Sequence, residues 1–365
     1  MPKSSPDRAP RQAPQGASSS TGETTRISRP SPRSSASART PSRQSPTPDL
    51  LSVVHLLQPR DHVIAGLLVE HRTLTTDQLA AVLFDTASTA RARLYRLRQL
   101  GWVDRFTPVR AGQRRQTHWV AGLLAARYHA VQHATATPTP RVWRDRVEAI
   151  AASTHLGHTV GANQVFVDLL AHTRTHPHKR LARWWGPART AAAVGQRVHP
   201  DGHGVWTDRT DRTERQVGFW LEYDTGTEPL ARLVAKLDPY TRLRRSGGPD
   251  YPVLFHLPTP AREANLHDRL THAHDVDGAA DGGVTVATTT PDAVTPAGLA
   301  GPVWRVVGTD QRCRLIDLPS SPGRPGPYHP GPPTPEQDPL ALLAVPEPDE
   351  PDATAARQLV DEEPN

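Results

Sequence analysis

The sequence predicts a multidomain α/β protein in which two folded regions lie between disordered tails. Three observations lead to this prediction. Residues 59–133 carry apolar residues at helical spacing and end in two strand-like runs, whereas residues 143–318 alternate strand-like with helical runs. The rest of the chain is rich in proline, serine and charge, and 36% hydrophobic residues with 38 prolines cannot form a packed core throughout all 365 residues.

The two tails differ in charge. Residues 1–58 contain mainly Ser, Pro, Arg, Gln and Thr, and we expect a disordered basic arm because such a segment buries too little apolar surface to offset its ordering entropy. Residues 319–365 are Pro-rich and acidic, which predicts a second disordered tail. Between the folded regions, the prolines of residues 134–142 lack amide donors and predict a linker.

Composition excludes several classes of protein. The one cysteine, Cys313, excludes an internal disulfide framework and a cysteine zinc cluster. No apolar run approaches the roughly 18 residues of a membrane-spanning helix, so no membrane partner is expected. No P-loop or G-x-G-x-x-G motif supports ATP- or NAD-driven chemistry. We therefore expect a protein of the reducing cytoplasm.

The first folded region is predicted to form three helices followed by a β-hairpin. Asp61 is placed to cap the first helix, and Thr75 or Thr76 the second. The third helix, residues 88–100, turns Ala, Leu and Leu inward and ends before Gly101, a natural C-terminal stop. The pattern T-x-x-Q-L-A-x-x-L-F, followed by A-R-x-R-L-x-R-L-x-x-L-G-W-V, resembles winged-helix transcription-factor domains.

Arginines accompany this pattern. Between residues 88 and 115 there are eight arginines and one acid, Asp104, a ratio suited to phosphate contacts. A helix in the major groove with a basic loop over the backbone predicts binding to double-stranded DNA. The alternative is a solvated amphipathic helix in an arginine-rich chain. The expected DNA-binding residues are Ser88, Arg91, Arg93, Arg96, Arg98, Arg110, Arg114 and Arg115.

The second folded region has an α/β order. Its predicted elements are helices at 143–152, 161–173 and 228–243 and strands at 181–185, 217–224, 251–257, 303–307 and 313–318. Pro200-Asp201, then twenty intervening residues, then Glu222-Tyr223-Asp224 resembles the PD-(D/E)xK nuclease superfamily, which implies a restriction-endonuclease-like fold.

That resemblance implies a metal site. Asp201, Glu222 and Asp224 would hold Mg²⁺, with Mn²⁺ as a substitute, because a hard cation takes oxygen ligands and must contact both phosphate and the attacking water. Side chains alternate along a strand, so Glu222 and Asp224 should share one face. Asp224 stands where the superfamily has lysine, and Lys236 in the following helix is the expected replacement, as one of only three lysines in the chain.

A wider set of motifs resembles the replication-relaxation protein family of actinobacterial plasmids and mobile elements. The resemblance covers residues 59–257 and implies a role in plasmid replication or in DNA relaxation. The motifs are His158-x-x-x-x-Asn163, Trp184-Trp185, His199-Pro200-Asp201-Gly202, and Phe219-Trp220-Leu221-Glu222-Tyr223-Asp224-x-Gly226-Thr227-Glu228 with Lys236 and Tyr240.

Simpler interpretations of these residues stay open. Pro200-Asp201-Gly202 is also an ordinary turn. Glu222 and Asp224 could lie on a half-exposed strand face, and Lys236 could bridge to Glu228. At the level of function, Mg²⁺-dependent strand cleavage has an alternative: a non-enzymatic transcription or copy-number regulator. The sequence leaves monomer and homodimer open.

Overall fold

The computed structural model describes residues 50–108, 116–210, 213–276 and 283–343. The described helices are α1 (Leu50–Val54), α2 (Pro59–His71), α3 (Thr76–Leu83), α4 (Ala87–Gln99), α5 (Leu123–Gln132), α6 (Pro140–Ala152), α7 (Leu156–Thr173), α8 (Pro187–Ala193), α9 (Leu230–Ala235), α10 (Leu237–Arg245) and α11 (Pro260–Val276). The described strands are β1 (Leu74–Thr75), β2 (Val103–Phe106), β3 (His118–Ala121), β4 (Lys179–Trp185), β5 (Gly202–Asp208), β6 (Arg215–Tyr223), β7 (Val253–His256), β8 (Val286–Thr289), β9 (Pro302–Val306) and β10 (Arg312–Arg314). This mixture confirms the α/β class.

Local sequence signals explain how the first helices begin and end. Thr75 caps α3 in a reciprocal capping box, in which its hydroxyl accepts from the Gln78 amide while the Gln78 side chain accepts from the Thr75 amide. Gly101 adopts φ +72°, which lets the amide of Trp102 return to the Leu97 carbonyl at 2.9 Å and close α4. The chain then forms a three-stranded sheet in the order β1-β3-β2.

The second sheet has seven strands in the order β10-β9-β8-β7-β6-β5-β4. Strands β6, β7 and β8 are parallel, and the other neighbours are antiparallel. Each face of the parallel part buries a different apolar cluster. Leu221, Leu254 and Ala287 pack on the side of α7, whereas Trp220, Val253 and Val286 pack with α9 to α11. The carboxyl ends of these strands therefore emerge between two layers of helices.

The three-stranded sheet and its helices join the seven-stranded sheet through α7. One apolar cluster runs without a break from Ile64 and Leu94 to Phe166 and Leu254. Polar groups cross the same joint. The Gln78 amide donates to the Val160 carbonyl at 3.0 Å and to Gln164 Oε1 at 3.1 Å.

Further contacts hold the joint. The Asn163 side chain donates to the Thr73 carbonyl at 3.0 Å, and the rings of His71 and Trp184 stack with centroids 3.6 Å apart. His71 is buried, and burial together with the charge of Arg189 lowers its pKa to about 3. Of the residues predicted as a linker, 134–142, the first six lie on the surface between α5 and α6, and the last three begin α6.

Residues assigned to the two tails make contacts where the structure describes them. In the N-terminal segment, α1 buries Val53 in the main apolar cluster. In the C-terminal segment, the backbone carbonyls of Gly331 and Pro332 accept hydrogen bonds from the buried guanidinium of Arg183 at 3.0 and 2.9 Å. Residues 50–58 and 319–343 thus differ from the disorder expected of them, because each offers apolar or carbonyl groups to the sheets. Residues 1–49 and 344–365 lie outside the described residues.

Across the described ranges, no helix has both the length and the apolar character to cross a bilayer.

Candidate functional site

Glu222 lies at the carboxyl end of β6, on the face that packs with α9 and α10. Only 4% of the surface of Glu222 is exposed to solvent. The Tyr240 hydroxyl donates to its Oε1 at 2.6 Å, and Lys236 Nζ lies 3.1 Å from its Oε2. The carboxylate is therefore removed from water and held by one neutral and one cationic donor.

Lys236 sits at the junction of α9 and α10, where it is the C-cap of one helix and the N-cap of the next. Its ammonium contacts Glu222 and lies 3.5 Å from Glu228 Oε2. Burial opposes the charged form of this side chain, but the carboxylates of Glu222, Glu228 and Asp201 outweigh burial, and the net pKa of Lys236 is raised. The ammonium stays protonated at neutral pH.

Asp201 precedes β5 and faces the same strand end from the neighbouring strand. Its backbone amide donates to the Leu221 carbonyl at 2.9 Å, and its Oδ2 accepts from the Tyr223 amide at 2.8 Å. His158 Nε2 lies 3.2 Å from the same oxygen. The hydrogen bond to Asp201 raises the pKa of His158 despite partial burial of the ring. Asp201 thus links α7 to the end of β6.

The charge of Asp201 acts on Glu222. The pKa of Glu222 is raised to about 7, mainly by burial and secondly by the negative charge of Asp201. Lys236 and Tyr240 oppose that rise. Burial and the Glu222 carboxylate raise the pKa of Tyr240 well above its usual value. The arrangement therefore retains a proton on a carboxyl near neutral pH, a property common at sites that move protons or bind cations.

Asp224 makes a separate ion pair. Its Oδ2 pairs with Arg262 Nε, and its Oδ1 accepts from Arg262 Nη2 at 3.1 Å and from the Gly226 amide at 3.0 Å. The strand ends at Tyr223, so the strict alternation expected of Glu222 and Asp224 no longer applies at Asp224. Within the described ranges, no three His, Cys, Asp or Glu side chains are grouped to hold a metal ion.

The structure thus brings together three of the four residues expected at the site: Asp201, Glu222 and Lys236. Sequence reasoning missed two partners. The sequence places His158 in a motif without assigning it a partner, and Arg262 carries no signal because it lies 38 residues from the carboxylate it binds.

The second set of expected residues lies on α4. The side of this helix opposite the buried Ala90, Leu94 and Leu97 is exposed and continuous along the helix. Arg105 from β2 extends it, with its guanidinium 4.6 Å from the centroid of the Tyr95 ring. This exposed stripe, at helical spacing, is Ser88, Arg91, Ala92, Tyr95, Arg96 and Gln99.

The remaining expected DNA-binding residues are not part of this stripe or lie outside the described residues. Arg93 turns back to α2, where it pairs with the buried carboxylate of Asp61 and donates to the Leu56 carbonyl at 3.1 Å. Arg98 Nε lies 3.3 Å from Asp104 Oδ1. Arg110, Arg114 and Arg115 lie outside the described residues.

Comparison with known proteins gives one family. The family model described as replication-relaxation matches residues 66–253, a little more than half of the chain. The match runs from the middle of α2 to the start of β7 and includes α4, Asp201, Glu222 and Lys236. No curated protein and no solved structure matches the chain.

Proposed function

Because the chain belongs to the replication-relaxation family, we propose that it binds double-stranded DNA in the replication or relaxation of a plasmid or mobile element. The observation that carries the proposal is the exposed stripe of α4. Arg91, Tyr95 and Arg96 project from a helix that is anchored by buried apolar residues and followed by two paired strands. The strand β1 between α2 and α3, paired to β3, supports a winged-helix interpretation of this part.

Salt titration tests DNA binding. Each arginine that neutralises a phosphate releases counterions and contributes about 0.9 to the slope of log affinity against log salt. Arg91→Ala with Arg96→Ala should therefore flatten the slope by about two. Arg98→Ala is the matched control on the same helix, because Arg98 already pairs with Asp104. An unchanged slope in the double variant would remove α4 from the interface.

A second function, divalent-metal-dependent strand cleavage, is favoured by one observation: Asp201 and Glu222 lie at neighbouring strand ends, close enough that the charge of Asp201 raises the pKa of Glu222. Oxygen donors that repel each other suit Mg²⁺ or Mn²⁺. Binding there would require Lys236 to leave Glu222 Oε2 for Glu228, which is already 3.5 Å away. The proximity of Asp201 and Glu222 supports the resemblance to PD-(D/E)xK nucleases. Asp224 is not part of this pair, because it forms an ion pair with Arg262.

In this function the chain's residues have distinct tasks. Asp201 and Glu222 would hold the cation, which would supply a polarised phosphoryl oxygen and an activated water. Lys236 would place its ammonium against the phosphate. His158, whose pKa is raised by its hydrogen bond to Asp201, would keep that carboxylate in position.

Metal titration separates cleavage from regulation. Mg²⁺ or Mn²⁺ should raise the melting temperature of the wild type, and Asp201→Asn or Glu222→Gln should abolish both the rise and the nicking of supercoiled plasmid. Lys236→Met should keep the rise and lose the nicking. If the wild type binds DNA but shows neither metal response nor nicking, the protein is a non-enzymatic regulator, in agreement with the hydrogen bonds that each oxygen of Glu222 already accepts.

A further inference from the structure

A basic groove lies beside the seven-stranded sheet. The residues that line it are distant from α4 in the sequence. The groove is a cavity of about 560 Å³ between the last turn of α10 and residues 324–329. Arg244, Arg245, Arg324, Tyr328 and His329 line it. Among the described residues that line it, none is Asp or Glu.

The positive charge comes from separate segments. A basic last turn on α10 alone would be explained by the helix dipole, which favours cations near the C-terminal carbonyls. Arg324, however, comes from the segment after β10 and is exposed, and Arg197 comes from the segment after α8 and is also exposed. Arg244 is partly neutralised by Asp250 at 3.0 Å. Convergence of arginines from three segments goes beyond what one helix terminus needs.

The groove is held in shape by backbone and ring contacts. The Arg324 amide donates to the Gly247 carbonyl at 3.0 Å. A Cβ on Gly323 would lie 2.3 Å from the Gly248 carbonyl oxygen, so the two backbones approach as only glycine permits. The Arg197 guanidinium lies 3.7 Å from the centroid of the Tyr328 ring and donates to Ser246 Oγ at 3.0 Å.

The groove lies close to the carboxylate site. Arg245 is five residues beyond Tyr240 in α10, about 7.5 Å along the helix axis. Arg197 is four residues before Asp201, which limits their Cα separation to about 14 Å. Phosphates of one DNA strand recur about every 3.4 Å of helix axis. A strand bound in the groove would therefore lie within a few nucleotides of Asp201.

We infer that this groove binds the phosphodiester backbone of DNA, as a second contact apart from α4. The inference rests on the proposed DNA binding. Exposed arginines on a fixed concave backbone suit phosphate, because a planar guanidinium can contact two oxygens of one phosphate. The groove would position the strand at Asp201 and Glu222 without reading bases.

The test uses the full chain and a duplex oligonucleotide at several salt concentrations. Arg245→Ala with Arg324→Ala should flatten the slope of log affinity against log salt by about two, because each arginine removed leaves one phosphate with its counterions. The control, Arg209→Ala with Arg269→Ala, removes the same charge from two exposed arginines outside the groove and should leave the slope unchanged. Circular dichroism and melting temperature confirm that both double variants fold.

The outcomes that oppose the inference can be told apart. If the wild type shows no salt-dependent affinity for the duplex, the proposed DNA binding fails and the inference with it. If the α4 variant flattens the slope but the groove variant behaves as its control does, only the inference is overturned. If inorganic phosphate binds to the wild type and not to the groove variant, while the duplex slope is unchanged, the groove takes a small anion and the inference is again overturned.

Discussion

The Glu222 carboxyl should make the stability of the protein depend on pH in a way that one substitution removes. Its pKa is raised to about 7 by burial and by Asp201, whereas a glutamate in an unfolded chain titrates near about 4.3. Between these values the folded protein holds a proton that the unfolded chain has released. The stabilisation is therefore fully present below about pH 4.3 and is lost as the pH rises through about 7.

The magnitude follows from the two pKa values. At about 1.36 kcal/mol for each pH unit, the gap between them corresponds to about 3 to 4 kcal/mol of unfolding free energy, of which about 2.5 kcal/mol falls between pH 5 and pH 8. Glu222→Gln keeps the shape of the side chain and an acceptor for Tyr240 but cannot titrate. Relative to this variant, the wild type should lose about 2.5 kcal/mol between pH 5 and pH 8.

Urea unfolding, followed by circular dichroism at four pH values from 5 to 8, measures this difference. Taking the difference between two proteins cancels the titration of groups that both share, including the buried histidines. Glu228→Gln is the matched control, because it changes the other carboxylate near Lys236 and retains Glu222. It should follow the pH dependence of the wild type. If the curves of wild type and Glu222→Gln run parallel from pH 5 to 8, the Glu222 carboxyl does not retain a proton in the folded protein.

Two further substitutions test the packing around the site. A Cβ on Gly161 would lie 2.3 Å from Tyr223 Cζ, so Gly161→Ala should destabilise by about 1 to 3 kcal/mol in urea unfolding. Gly157→Ala in the same helix meets nothing within 4 Å and should be neutral or stabilising; equal effects of the two would contradict the close approach. Arg262→Met would leave the buried Asp224 carboxylate without its cation and should cost about 3 to 5 kcal/mol, a loss that Asp224→Asn in the same chain should partly restore.

Elements whose causes lie within a few residues could be predicted from the sequence. The Thr75 cap and the Gly101 stop each depend on neighbours within one helical turn, and both lie where the sequence indicated. The strand Val286–Thr289 was not predicted. It is buried on both faces, so its residues do not alternate in the way that marks a strand with one wet face.

The same distinction between local and long-range causes applies to the candidate site. The proximity of Lys236 to Glu222 could be expected, because a helix that follows a strand packs back on it. The partner of Asp224 could not be expected from the sequence. Arg262 reaches Asp224 only because β6 and β7 are parallel neighbours, which places the start of α11 at the end of β6. Long-range pairing of this kind depends on sheet order, and a single sequence does not specify sheet order.

The polar contacts across α7 would fix the spacing between two contacts with DNA. Gln78 belongs to α3, which packs on α4, and its side chain is bonded to α7, which packs beneath β6. In the described residues, hydrogen bonds and a shared apolar core on both sides of α7 hold the exposed stripe of α4 at a fixed distance from the carboxylates at the end of β6. DNA bound at both places would therefore be contacted at a constant interval in base pairs. Inserting base pairs between the two contacted sites would rotate one site around the duplex relative to the other, and the protein would no longer contact both.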